Sequence, residues 1–330
     1  MTRPDPLMRA QVNWAQYDPS APGGHYESYY LRGNHPQRPL AFWIRYTIFS
    51  PAGRPADALG ELWAIVFDGE TGTHTAAKLE LPIAECAFPR DRFEVRIGSA
   101  TLDDAGLHGE VSPIAWDLRY EGDEPPLYLL PGRLYRGGFP KAKSLVSRPL
   151  ARFTGSVSVG DRTIDVEGWL GSQNHNWGSR HTDHYAFGQV AGFDNAPDSF
   201  LEVATARNRI GPLWTPALTP LVLRHRGREH ALTAMGQMFR ATAAITPTRW
   251  TFATQSGVMS VAGTIEAPED AFVLLEYANP PGGTKYCHNT KLARCELTLT
   301  DRVTGQTELL RSSHKALFEI LDDHESMVAS

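Results

Sequence analysis

Alternation of apolar and polar residues with a period of two runs through most of this chain and constrains its fold more than any other feature. Successive side chains of a β-strand point to opposite faces, so this period predicts strands that bury one face. Turn-forming sequences rich in glycine, proline, asparagine and aspartate separate the segments. The pattern is present in "LAFWIRYTIF" (40–49), "RFEVRIG" (92–98), "IAWDLRY" (114–120), "SFLEVATA" (199–206), "GVMSVAGTIE" (257–266) and "ARCELTLTDR" (293–302).

The segment "SVSVGDRTIDV" gives the clearest hairpin prediction. Its Gly-Asp pair at 160–161 forms a two-residue loop of the kind whose twist matches that of paired strands. In this register Val157 lies opposite Ile164. Val159 then lies opposite Arg162, and the apolar residues of both strands share one face.

Helical periodicity is limited to two short windows, 75–87 and 314–328. Many short strands with regular turns and little helix are typical of β-barrels and sandwiches. The eight tryptophans suit a barrel that encloses a flat or apolar ligand. A chain of 330 residues is long for one domain, and the segment "SRHTDH" separates two strand-rich halves. We therefore predict an all-β protein with two domains, residues 1–180 and 181–330.

The charge distribution bears on the partners. The net charge is −5, from 32 basic and 37 acidic residues that are interspersed without blocks. This argues against nucleic acid or an anionic membrane surface as the main partner, because both select a concentrated basic patch. The N-terminal sequence lacks the apolar core of a signal peptide, and no apolar run reaches the length of a membrane span. Three cysteines fit a reducing compartment. We expect a cytoplasmic protein without integral membrane association.

Sequence motifs for cofactors are absent. The chain has no Gly-x-Gly-x-x-Gly between a strand and a helix, no Walker loop and no Gly-x-Ser-x-Gly elbow. His175, His181 and His184 have the spacing His-x5-His-x2-His, which matches no standard zinc signature. On a strand, His181 and His184 point to opposite faces. We predict neither a metal nor a cofactor.

The stretch "GSQNHNWGS" (171–179) concentrates hydrogen-bonding side chains. It places Gln173, Asn174, His175, Asn176 and Trp177 between two glycines. One interpretation is a site in which the imidazole acts as a general acid or base, or donates to a developing oxyanion. The alternative is a structural turn, because asparagine side chains often bond their own backbone and tryptophan is a common core residue.

The segment "GGHYESYYLR" (23–32) places a carboxylate in a predicted strand. Alternation sends His25, Glu27 and Tyr29 to one face and residues 26, 28 and 30 to the other. If the first face is interior, Glu27 is desolvated, which raises the pKa of a carboxyl group and suits it to proton transfer. Alternatively Glu27 lies on a solvated face.

Three segments together resemble a known superfamily. "GHYESYY", "GWLGSQNHNWGS" and the strand "HYAFGQVAGF" are similar to the calycin-like proteins that include carotenoid 1,2-hydratase, AttH-type proteins, tocopherol cyclase and the fungal decalin-forming Diels–Alderases. Members carry an (Asp/Asn)-His-Asn-(Trp/Arg)-Gly core at the end of their first barrel. Here this core runs from Asn174 to Gly178, with Asn174 where aspartate is common.

The resemblance implies two tandem lipocalin-like antiparallel β-barrels with a largely apolar pocket at or near their junction. It also implies chemistry without a redox cofactor or metal: hydration of an alkene, ring closure by protonation, or folding of a polyene for cycloaddition. We expect a cofactor-independent cyclase, isomerase or hydratase, possible pericyclases included, that acts on a lipophilic small molecule such as a terpenoid or polyketide.

Roles follow for the residues of the two motifs. We expect His175 to donate a hydrogen bond or proton, Asn174 and Asn176 to orient it or the substrate, and Glu27 to be its partner acid. The expected substrate-binding residues are Trp14, Tyr29, Trp43, Gln173 and Trp177. Two alternatives stay open: a carrier that binds a hydrophobic ligand without chemistry, and a motif that only buttresses the junction of two barrels.

Overall fold

The computed structural model describes residues 11–325, and by their contacts these divide into two units. The first unit takes in the residues up to 127, 138–181 and 278–283, and the second takes in 128–137, 182–277 and those from 284 onward. The prediction of an all-β protein with little helix is confirmed, because nearly all regular structure is antiparallel strand. The two short exchanged segments, 128–137 and 278–283, have no signal in the sequence pattern.

The first unit is built on one large antiparallel sheet. Its strands are β1 (His25–Asn34), β2 (Leu40–Ser50), β3 (Leu59–Asp68), β4 (Thr73–Pro82), β5 (Cys86–Ala87), β6 (Glu94–Ile97), β7 (Ala100–Asp103), β8 (Gly106–Val111), β9 (Ile114–Glu121), β10 (Leu127–Tyr128), β11 (Ala142–Val159) and β12 (Arg162–Gly178). Short 3-10 helices span Pro55–Asp57 and Ile83–Glu85. The order along the sheet is β4-β3-β2-β1-β12-β11-β9-β8-β7-β6-β5.

The second unit repeats this arrangement. Its strands are β13 (His184–Phe193), β14 (Ala196–Arg207), β15 (Arg209–Ile210), β16 (Leu213–Trp214), β17 (Leu221–His225), β18 (Arg228–Leu232), β19 (Thr242–Ile245), β20 (Arg249–Gln255), β21 (Met259–Glu266), β22 (Val273–Ala278), β23 (Thr284–Asp301) and β24 (Thr307–Asp322). An α-helix spans Met235–Arg240, and 3-10 helices span Gly132–Tyr135 and Glu269–Ala271. The sheet order is β18-β17-β14-β13-β24-β23-β21-β20-β19, and β15 and β16 form a separate two-stranded sheet.

Each barrel joins its first strand to its last. In the first unit β1 pairs with β12, and in the second β13 pairs with β24. The inward faces bury one apolar cluster in each unit, with Tyr29, Leu31 and Trp169 in the first and Val190 and Phe318 in the second. The fold is therefore two lipocalin-like barrels in tandem along the chain, as the sequence predicted.

The predicted hairpin is confirmed residue by residue. Val157 pairs with Ile164 and Val159 with Arg162 across the β11–β12 turn. Gly160 adopts a φ of +56° in this turn, a backbone conformation that glycine takes without strain.

The two predicted helical windows are wrong. Residues 75–87 form most of β4, a 3-10 helix and β5. In the second window, 314–328, the residues up to Asp322 belong to β24, and residues 326–328 lie outside the described part of the chain. In β24 both Leu317 and Phe318 are fully buried, so apolar residues fall on both faces and the period of two is lost. Pairing of β24 with β13 and β23 overrides the local helical preference.

Candidate active site in the first unit

A buried carboxylate–imidazole pair lies inside the first barrel, where its first and last strands meet. Glu27 is on β1 and His175 on β12, two strands that pair with Tyr29 directly opposite His175. The Nε2 atom of His175 lies 2.7 Å from Oε1 of Glu27, and both side chains are fully buried. Glu27 and Tyr29 therefore share one face, as strand alternation predicted, and this face is the interior one.

The glycines that flank the motif allow the neighbouring strands to approach β12 closely. A Cβ on Gly171 would overlap the carbonyl oxygen of Arg32 on β1. A Cβ on Gly178 would overlap the carbonyl oxygen of Lys141, just before β11. The glycines therefore fix the spacing of β1, β12 and β11 around His175.

Glu27 accepts hydrogen bonds from four groups. Its Oε1 accepts from the Tyr29 hydroxyl at 3.0 Å and from His175, and its Oε2 lies 2.9 Å from Nε2 of His25. The backbone N–H of Gln16 donates to both oxygens, at 2.8 and 2.9 Å. Burial alone raises the pKa of this carboxyl group, but the hydrogen bonds and positive charges of His175 and His25 outweigh it and lower the pKa to about 2.

Both ring nitrogens of His175 contact the chain. Its Nδ1 lies 2.6 Å from the carbonyl oxygen of Val12, which can only accept, so Nδ1 carries a hydrogen. Its Nε2 is hydrogen-bonded to Oε1 of Glu27, whose lowered pKa favours the carboxylate form. The imidazole therefore links the carboxylate on β1 to the backbone of Val12.

Aromatic rings flank the imidazole of His175. The Tyr29 ring stacks on it with centroids 4.5 Å apart and an angle of 11° between the planes. The Trp177 ring lies 4.7 Å away at 33°. These contacts fix the plane of the imidazole.

The segment from Gln11 to Tyr17, here called the N-terminal strap, covers the pair. Besides the contacts of Val12 and Gln16, the Asn13 amide exchanges two hydrogen bonds with the Gln173 amide, at 3.0 and 3.1 Å. The Ser147 hydroxyl donates to Asn13 Oδ1 at 2.5 Å. The buried polar side chains of Gln173 and Ser147 are therefore hydrogen-bonded to the strap.

Three of the predicted site residues lie away from His175. Asn174 and Asn176 alternate with His175 on β12 and point to the opposite face, where Asn174 Nδ2 donates to Ser172 Oγ at 2.9 Å. Trp43 also lies on an outward face, with its ring 6.3 Å from that of Tyr30. The structure therefore does not bring the two asparagines to the imidazole, because β12 continues as a strand through the motif instead of turning.

The other predicted residues gather at the pair. Tyr29, Gln173 and Trp177 share the inward face with His175, and Trp14 belongs to the strap. Sequence reasoning missed Val12, whose backbone carbonyl carries no signal in residue type. Of the other missed residues, His25 was already placed on the face of Glu27 by strand alternation, and Asn13, Gln16 and Ser147 show no pattern that points to the site.

The three histidines of the rejected zinc spacing have separate partners. The His181 ring stacks on Tyr26 with centroids 4.0 Å apart, and His184 Nδ1 lies 3.0 Å from Oδ2 of Asp322. Within residues 11–325, no group of three or more His, Cys, Asp and Glu side chains is arranged to hold a metal ion. Over the same range, none of the helices has the length and apolar character needed to cross a bilayer.

No protein-family model matches the sequence. Over 280 residues it is 24% identical to an uncharacterized protein of Mycobacterium tuberculosis strain H37Rv, an alignment that spans 84% of this chain and 82% of that one.

Solved structures share the fold along most of the chain. CghA, solved with Sch210972, superposes with a TM-score of 0.62 at 10% identity, covering 92% of this chain and 90% of that one. Kievitone hydratase from Nectria haematococca gives 0.58 at 12% identity, with 92% and 90% covered. An AttH protein from Nitrosomonas europaea gives 0.59 at 11% identity, with 91% and 92% covered. At these identities the likeness shows a common fold.

Proposed function

We propose that the protein is a cofactor-independent cyclase, isomerase or hydratase of a lipophilic small molecule, such as a terpenoid or polyketide, with His175 as proton donor. The observation that carries this proposal is the imidazole of His175 held 2.7 Å from the Glu27 carboxylate, with both side chains fully buried inside the first barrel. An acid held in a buried site can protonate a weak base such as an alkene or carbonyl group. Among the structural neighbours, kievitone hydratase is by its name a hydratase.

The proton available to a substrate is the one on Nδ1 of His175. In the structure Nδ1 donates this hydrogen to the carbonyl oxygen of Val12, which belongs to the strap. For catalysis the strap moves away from His175, and an oxygen or double bond of the substrate takes the place of this carbonyl. His175 gives one proton to the substrate and receives one back when the product loses a proton. Glu27 stays ionised and holds the Nε2 hydrogen of His175, which fixes the ring and leaves Nδ1 as the nitrogen that faces the substrate.

Comparison with the second barrel supports a role for Glu27 and His175 beyond joining the first and last strands of the sheet. The first and last strands of the second barrel meet in the same way, and the inward residues at that junction are the apolar Ala186, Val190, Ala316 and Phe318. In the second barrel these first and last strands therefore pair without a carboxylate–imidazole contact between their inward residues. Burying a charge carries a desolvation penalty of several kcal/mol, which makes the presence of the carboxylate in the first barrel informative.

The strap carries polar atoms that its closed position leaves without hydrogen bonds. Trp14 Nε1 and Tyr17 Oη are buried and have no hydrogen-bond partner among the described residues. An unmade bond of this kind costs about 1–3 kcal/mol, which lowers the free energy needed to displace the strap. Both groups are also able to bind a polar substituent of a substrate.

A second candidate function is ligand binding without chemistry. It is favoured by the saturation of the pair, because the chain itself uses both ring nitrogens of His175 and both oxygens of Glu27. In that case the two residues hold the strap, and an apolar ligand binds without contact to them.

A deuterium experiment distinguishes the two functions. The protein is incubated in D2O with a panel of isoprenoid alkenes and linear polyenes, and products are examined by mass spectrometry for new carbon-bound deuterium. Proton-donor catalysis predicts deuterated product with the wild type and at least a 100-fold loss with His175→Gln. A variant of the exposed Glu110, Glu110→Gln, is the matched control and keeps full turnover. Binding of panel members with no product, or turnover unchanged in a folded His175→Gln, would favour the carrier.

A further inference from the structure

The β15–β16 hairpin carries large apolar side chains into solvent. It forms a sheet of its own, and Ile210 and Leu213, next to its Gly-Pro turn, are each 71% exposed. Trp214 is also exposed. Single exposed apolar residues are ordinary, but three within five positions on one protruding turn form a patch.

A second connection adds to this patch at the same end of the barrel. The β14–β17 connection contains the hairpin, and the β18–β19 connection contains the short helix with exposed Met235 and Phe239. The two connections follow β14 and β18, which run in the same direction because each pairs antiparallel with β17. Both connections therefore lie at the same end of the second barrel. The backbone N–H of Thr219 donates to the carbonyl of Met238 and ties the two connections together.

The charge of this end is positive. The two connections include Arg207, Arg209 and Arg240 and no aspartate or glutamate across 207–220 and 233–241. The guanidinium groups of Arg207 and Arg209 each lie 4.6 Å from the centre of the Trp214 ring. Arginine and tryptophan in contact, next to exposed aliphatic residues, are typical of surfaces that dock at the lipid–water interface.

The nearest acidic groups do not cancel this charge. Arg209 lies 3.9 Å from Asp323, but the Asp323 carboxylate also accepts a 2.5 Å hydrogen bond from Lys285. Asp183 accepts from the Arg209 backbone N–H and from Lys285. Lys285 therefore offsets one of the two carboxylate charges, and the three arginines exceed the negative charge that remains.

We propose that this end of the second barrel, the tip patch formed by Ile210, Leu213, Trp214 and Phe239 with Arg207, Arg209 and Arg240, docks reversibly on an anionic lipid surface. The aliphatic residues and Trp214 enter the headgroup region while the arginines contact lipid phosphates. Arg240 follows Arg209 by 31 residues in the chain (240 − 209), so no block of basic residues marks the patch in the sequence. The proposal does not depend on the chemistry of His175.

Vesicle flotation tests the proposal with the full-length protein. We expect binding to vesicles of equimolar phosphatidylcholine and phosphatidylglycerol, little binding to phosphatidylcholine alone, and weaker binding as the ionic strength rises from about 0.05 M to about 0.5 M. The double variant Ile210→Asp/Leu213→Asp lowers the affinity at least about 10-fold, because it removes apolar contact and adds repelled charge. Arg209→Gln/Arg240→Gln lowers it about 30-fold, because each lost arginine lowers it about fivefold.

Val303 provides the matched control. It is 78% exposed, follows an arginine, and lies in the β23–β24 turn, away from the tip patch. Val303→Asp is expected to leave vesicle binding unchanged. The proposal is overturned if the wild type binds neither vesicle, if it binds both equally, or if Val303→Asp and the patch variants weaken binding to the same extent. A concentration-dependent dimer that Ile210→Asp/Leu213→Asp abolishes, without vesicle binding, would assign the patch to a second copy of the chain instead.

Discussion

Tyr29 stacks on the imidazole of His175 and at the same time donates its hydroxyl hydrogen to the carboxylate that this imidazole faces. One side chain thus contacts both members of the pair, through its ring and through its oxygen. Burial raises the pKa of Tyr29 well above its ordinary value, and the negative charge of Glu27 raises it further, so the hydroxyl stays a donor.

Tyr29→Phe separates these two contacts, because it keeps the stacked ring and removes the donor. We expect the free energy of unfolding to fall by about 1–3 kcal/mol, the cost of removing a hydrogen bond to a buried charged group. Urea denaturation followed by tryptophan fluorescence measures it. Tyr128→Phe removes a hydroxyl from an exposed tyrosine and is expected to change stability by less than about 0.5 kcal/mol. Equal effects of the two changes would contradict the importance of the Tyr29 donor.

The pH dependence of stability reports on Glu27. Its pKa falls from 4.5 to about 2 on folding, so its contribution is complete above pH 4.5 and is lost as the pH falls through 2. The difference in unfolding free energy between the wild type and Glu27→Gln is expected to shrink by about 3 kcal/mol from pH 5 to pH 2. Other carboxyl groups are common to both proteins and cancel. A difference that stays constant over this range is the contrary result.

The spacing of the strands around His175 is tested at Gly171. Gly171→Ala places a methyl group against the Arg32 carbonyl, so we expect a loss of more than about 3 kcal/mol or failure to fold. Gly23 has no atom within 4 Å of an added Cβ, and Gly23→Ala is expected to be neutral. Thermal denaturation compares the two. A Gly171→Ala protein as stable as Gly23→Ala would mean that β1 and β12 can separate at little cost.

The anchoring of the N-terminal strap is tested at Asn13. Asn13→Ala removes the bonds to Gln173 and Ser147 and leaves the contacts of Glu27 and His175 in place. We expect the Gln16 amide, which donates to Glu27, to exchange its hydrogen at least about 10-fold faster than in the wild type, since one such bond contributes about 1 kcal/mol or more. Gln37→Ala, a change of an exposed amide, is the control. Unchanged exchange at Gln16 would show that the strap is held without Asn13.

Strand periodicity predicted the all-β class and placed Glu27 and Tyr29 on one face, because alternation depends only on local geometry. It left open whether that face is interior, since this depends on the packing of distant strands. The same rule separates His175 from Asn174 and Asn176, and the structure follows it through the whole motif. The grouping of these amides as a cluster around the imidazole relied on closeness in sequence. On an extended strand, closeness in sequence places neighbours on opposite faces.

Other features depend on contacts between distant residues. The strap touches the pair through the backbone of Val12 and Gln16, and a backbone carbonyl or amide has the same chemistry at every position. The helical windows were wrong for a related reason. Pairing with β3 keeps residues 73–82 extended although alanine, lysine, leucine and glutamate favour a helix there.

The pairing of β1 with β12 has a consequence for synthesis of the chain. Glu27 and His175 are 148 residues apart. The ribosome therefore synthesises β1 long before β12, the strand with which β1 pairs. At roughly 5–20 residues per second, the open edge of β1 waits on the order of 10–30 s for β12. Such distant pairing slows folding and leaves an unpaired edge on which nascent chains can associate. The β13–β24 pairing imposes a similar delay, so each sheet gains its last pairing only after its final strand has been synthesised.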